Sequence, residues 1–105
     1  MRVVINHRKT KAEAMKAVER AVQDALRALA TGPLTITDTQ KTWKGSVMTF
    51  SVTVKMGLLK NVISGTAAVT ENDITIDLDL GFLGQFIAEK KIRTSVESSV
   101  RGLLG

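Results

Sequence analysis

At Gly81 the hydropathy pattern of this chain changes its period, and that change restricts the fold more than any other feature. Before it, Ile74, Ile76, Leu78 and Leu80 alternate with Thr75, Asp77 and Asp79. A period of two marks a strand with one dry face. After it, Phe82, Phe86, Val96, Val100 and Leu103 fall on one helical stripe. A strand that passes directly into an amphipathic helix needs a sheet for the helix to cover. The stretch therefore predicts fold class, and it carries no chemistry of its own.

The rest of the chain supplies the sheet. Residues 2–6 read as a short first strand. Thr10-Lys11-Ala12-Glu13 is a capping box, in which the Thr10 hydroxyl accepts from Glu13 N–H and the Glu13 carboxylate returns to Thr10 N–H. The helix that follows, over 11–30, has an apolar stripe at Met15, Val18, Val22, Leu26 and Leu29, widened by Ala14, Ala21 and Ala25. Its length is about 30 Å at roughly 1.5 Å per residue. Gly32-Pro33 ends it, because proline has no N–H to donate. Leu34 to Thr42 is a threonine-rich strand of weak alternation, suited to a sheet edge. Lys44-Gly45 is a turn. Met48, Phe50, Val52, Val54 and Met56 then form one face of a clear strand. Residues 57–61 read as a loop. Ile63, Gly65, Ala67 and Val69 continue the inward pattern with small residues, and Glu71-Asn72-Asp73 is a tight turn.

The predicted order is β-α-β-β-β-β-α over one α+β domain, residues 1–105. Short connections imply a mostly antiparallel sheet. Both helices pack on its one apolar face, giving a two-layer sandwich that resembles a reduced helix-grip domain. Such a small sheet leaves edges or a face open, which favours a homodimer.

Composition narrows the classes. With no cysteine, thiolate chemistry, disulfides and Cys-type zinc sites are excluded. No stretch approaches the roughly 20 apolar residues of a membrane span. The early apolar run stops at Asn6-His7-Arg8-Lys9, too soon for a signal peptide, so a cytoplasmic protein is the expectation. The net charge of +5 is scattered along the chain. Scattered charge reads as a solvated surface, and nucleic-acid binding has no other support than charge.

The candidate catalytic groups are few. Asp77 and Asp79 point the same way on one strand, with Cα atoms roughly 7 Å apart. Paired carboxylates perform glycoside hydrolysis, but two acids on an outward strand face are more simply solvated. His7 is the only histidine, and it has neither a nucleophile elbow nor a second donor for a metal. No phosphate-binding glycine loop occurs. Trp43, between Lys41 and Lys44, is suited to stacking a base, yet one aromatic is no platform and a hairpin-packing role is simpler. The residues thus supply no catalytic set and no cofactor or metal site, and a non-enzymatic role is the expectation.

Apolar residues in exposed positions say more. Leu58 and Leu59 occupy the 57–61 loop between Lys55 and Lys60, and Leu103-Leu104 end the sequence. An apolar tip ringed by lysines is suited to a lipid or polymer surface with anionic groups. Leu58, Leu59 and Lys60 are therefore the candidate contact residues for a surface or partner. The competing reading folds Leu58 or Leu59 onto the core or into a dimer. A second function class is a hydrophobic-ligand carrier or enzyme. It would use a groove between sheet and helices, where Gly65, Ala67 and Ala68 leave room.

Several local patterns together resemble the small bacterial family of polyhydroxyalkanoic acid system proteins, encoded in polyhydroxyalkanoate granule regions. They are the strand ending in Asn6-His7, the alanine-rich helix from Thr10, and Trp43-Lys44-Gly45 followed by Val47, Met48 and Phe50. Ile63-Ser64-Gly65, the Ile74–Leu80 strand and Gly81-Phe82-Leu83 complete the set. The resemblance implies a cytoplasmic protein tied to polyester storage, with a granule surface or granule protein as partner. It supplies no catalytic residue. Fold-level likeness is a weak guide to function.

Overall fold

A computed structural model describes residues 1–29, 34–81 and 89–104 of the chain. Five strands and two helices follow in the order β1 (Arg2–Asn6), α1 (Lys11–Leu29), β2 (Leu34–Lys44), β3 (Val47–Met56), β4 (Leu59–Val69), β5 (Asp73–Asp79) and α2 (Glu89–Leu104). The sheet order is β1-β5-β4-β3-β2, and every neighbouring pair is antiparallel. This is the predicted α+β arrangement. Gly32-Pro33, Phe82 and Phe86, and the opening of the last helix after Gly81, lie outside the described residues. So does the side chain of Leu29.

Strand alternation places one face of the sheet under the helices. Val3, Ile5, Met48, Val54, Ala67 and Ile74 are wholly buried there. Each such Val or Ile contributes about 1.5–3 kcal/mol relative to exposure. Helix α1 begins at Thr10, whose Oγ1 accepts from Glu13 N–H at 3.2 Å. The return bond differs from the predicted one. The Thr10 hydroxyl itself donates to the Glu13 carboxylate at 2.9 Å, so the two side chains close on each other. The small residues Ala14, Ala17, Val18 and Ala21 sit deepest, and Met15, Val22 and Leu26 flank them half-buried. On α2 the buried stripe is Ile92, Val96 and Val100. Leu103, predicted on that stripe, is 36% exposed, whereas Leu104 packs against the core.

The weak alternation of β2 has a structural cause. One extra residue lies between Thr37 and Gln40 relative to the partner strand, and Asp38 takes a left-handed φ of 53°. Aspartate tolerates that region better than most residues. The bulge shifts the phase of the strand. Leu34 and Ile36 face the core before it, while Lys41 and Trp43 turn toward α1 after it. The strand runs on to Lys44, two residues beyond its predicted end, and the turn is Gly45-Ser46. β2 lies at the sheet edge, as predicted.

Candidate functional site

The 57–61 segment is not a five-residue loop. Met56 pairs with Leu59, Lys55 with Lys60 and Val54 with Asn61, so only Gly57 and Leu58 form the turn. Gly57 has φ 63° and Leu58 is not left-handed, the pattern of a two-residue II′ hairpin. Glycine is the residue that adopts that first position without strain. Leu58 stands at the tip, and Leu59 and Lys60 belong to β4.

The tip is apolar and uncovered. Leu58 is 103% exposed, Leu59 52% and Val62 60%. Met56 and Leu59 continue the helix-facing alternation of their strands, Met56 half-buried and Leu59 exposed. Lys55, Lys60 and Val62 stand on the other face. Lys55 and Lys60 are direct cross-strand partners. Like charges in that relation repel and weaken the sheet. Among the described residues no carboxylate pairs with either. Just behind the tip, the Asn61 side chain donates to the Leu80 carbonyl at 3.0 Å and ties the hairpin to the end of β5. The three predicted contact residues thus gather at one projecting end, joined by Met56 and Val62. Val62 was legible: Val62-Ile63 puts two apolar residues side by side in a strand, so one of them must face outward.

The other candidates have structural partners. Arg2 Nε donates to Asp77 Oδ1 at 2.8 Å, and Asp79 Oδ1 accepts from Gly81 N–H at 3.1 Å. Each acid is engaged with a separate partner. His7 is buried. Its Nδ1 accepts from Lys9 N–H at 3.2 Å, which makes Nε2 the donor to the Thr70 carbonyl at 2.8 Å. The ring therefore pins the end of β1 to the β4–β5 turn. Trp43 packs on the core, and Lys41 Nζ lies 2.6 Å from Glu19 Oε1. The Lys41 hydrogen bond holds the Glu19 carboxyl below the ordinary range, against an opposing effect of burial and with smaller help from Lys41 charge and Trp43. A base-stacking pair of Trp43 and Lys41 is thereby lost.

The expected ligand groove is also arranged differently. Phe50 pairs with Gly65, and a Cβ on Gly65 would meet the Phe50 ring at 2.7 Å and the Asp77 carbonyl at 2.5 Å. The glycine makes room for Phe50, not for a ligand. Ala67 is buried under the helices, while Ala68 alternates to the opposite face. The open space lies over the cross-strand partners of Gly65, Phe50 and Leu78, between α1, α2 and Ile63, Ile76 and Leu80.

Among the described residues no group of three or more His, Cys, Asp or Glu is placed to hold a metal, and no helix is long and apolar enough to cross a membrane. The model of one protein family, described as "Putative polyhydroxyalkanoic acid system protein", matches residues 1–104. No curated protein and no solved structure matches the chain.

Proposed function

The chain belongs to the polyhydroxyalkanoic acid system family, and from that premise we propose a cytoplasmic, non-enzymatic protein that docks on polyhydroxyalkanoate storage granules through the tip of the β3–β4 hairpin. The observation that carries this reading is the tip itself. Leu58 is wholly exposed at the tip, Leu59 is more than half exposed on one face, and Val62 is exposed on the other beside the facing pair Lys55 and Lys60. Burying two leucines in a polymer or lipid surface returns about 1.5–3 kcal/mol each, before the cost of association. Anionic groups at that surface would relieve the Lys55–Lys60 repulsion.

Co-sedimentation of the purified protein with isolated granules across a salt series tests the reading. The wild type is expected to sediment and to stay bound at high salt. Leu58→Asp/Leu59→Asp, in a protein shown folded by circular dichroism, is expected to lose at least tenfold in binding. Sedimentation of that variant like wild type, or no wild-type binding at low salt, would overturn the proposal. Binding lost on protease-stripped granules would move the contact from the polymer or lipid to a granule protein.

A further inference from the structure

The two helices leave a gap over the middle of the sheet, and its chemistry is specific. Phe50, Ile76 and Leu78 form the sheet side of a cavity of ≈ 180 Å³. On α1, Ala21 and Ala25 line it, and their one-carbon side chains are what keeps the space open. On α2, Ile92 and Val96 close the far wall. Among the described lining residues only two side chains carry a polar group, Lys91 and Ser95. They are four residues apart on α2, so they share a face. Both are exposed, which sets them at the mouth. Among the described residues no carboxylate pairs with Lys91.

An apolar wall rejects any group that needs a hydrogen bond it does not offer. A cation at the rim selects an anion just outside that wall. The two demands together describe an amphiphile with an apolar chain and a negative head. Size adds a limit. An apolar cavity of about 150 Å³ holds a six-carbon ring, so this one suits roughly six to eight carbons on the same scale. We infer that the cavity binds an aliphatic carboxylate of that length, with its chain between the helices and the sheet and its carboxylate held by Lys91 and the Ser95 hydroxyl. None of the hairpin-tip residues lines the cavity, so the inference stands apart from granule docking.

Calorimetric titration of the full chain with octanoate, octan-1-ol and acetate tests it, with methyl NMR to locate the site. Octanoate is expected to bind and to shift the Ile92 and Val96 methyls, and acetate is expected not to bind. Lys91→Met should weaken octanoate roughly five- to tenfold, the size of one exposed charge-assisted hydrogen bond, and leave octan-1-ol unchanged. Ala25→Leu keeps a good helix former and fills the space, so it should abolish both. No octanoate binding to wild type would overturn the inference. So would unchanged octanoate affinity in Lys91→Met, or unchanged binding in a folded Ala25→Leu.

Discussion

Strands β3 and β4 run the length of the sheet, and their two ends meet different surroundings. At one end Met48, Phe50, Ala67 and Val69 lie buried under the helices. At the other the same alternation continues through Met56 and Leu59 into water, and ends in a leucine with no cover at all. The alternation itself does not separate the two ends. What differs is the layer above them. Alternation states which face of a strand is apolar. How far along that face the cover extends is decided by what packs on it from elsewhere in the chain. The covered end uses its apolar residues for stability, and the bare end leaves them exposed to water.

Breaking the comparison is simplest by truncation at both ends. Met48→Ala should cost about 2–5 kcal/mol, since it empties a wholly buried site at the covered end. Leu58→Ser should change stability by less than about 0.5 kcal/mol, as exposed positions do. Urea midpoints measure both. A large loss in Leu58→Ser would show that the tip is covered after all, and the docking proposal would lose its basis.

The boundary between the two regions is sharpened by Gly65→Ala. Its new Cβ would press on the Phe50 ring and on the Asp77 carbonyl of β5. Overpacking of this kind costs about 1–3 kcal/mol. An unchanged midpoint would mean that the β4–β5 ladder yields easily there, and that Phe50 is not held in place by the glycine.

The smallest effect lies at the edge of the covered region, where Lys41 on β2 meets Glu19 on α1. The Glu19 carboxyl titrates below its ordinary range in the folded chain, chiefly through the Lys41 hydrogen bond. The unfolded chain therefore binds more protons in that window, and stability rises with pH across it. The contribution is present above the ordinary carboxylate range and disappears as pH falls through the folded value. For a partly exposed pair it amounts to about 0.2–1 kcal/mol. Glu19→Gln should lower the urea midpoint slightly near neutrality and match wild type well below the carboxylate range. A constant difference at both would assign the effect to packing.

Much of the fold was legible because it rests on local periodicity. The alternation of β3 and β5, the capping box at Thr10 and the stripe of α1 each follow from spacing along a few turns or residues. β2 was readable only as irregular. Its bulge depends on the pairing partner, since an extra residue exists only relative to the strand opposite. The site divides in the same way. Leu58, Leu59 and Lys60 were legible as apolar residues among lysines. Their placement was not, since the two-residue turn at Gly57-Leu58 puts Leu59 and Lys60 in a strand, with Lys60 opposite Lys55.

By itself the sequence determined the order of elements, the antiparallel meander, the apolar face and the cysteine-free chemistry, because these depend on residue type and on spacing within a segment. The tertiary structure alone decided three things: that Phe50 rests on Gly65, that Ala21 and Ala25 face Ile92 and Val96 across an open cavity with Lys91 at its mouth, and that Leu58 and Leu59 stay exposed at the hairpin tip. Each joins residues distant in the chain, and the free energy of burying or baring a side chain belongs to the surface it meets, which no single segment contains.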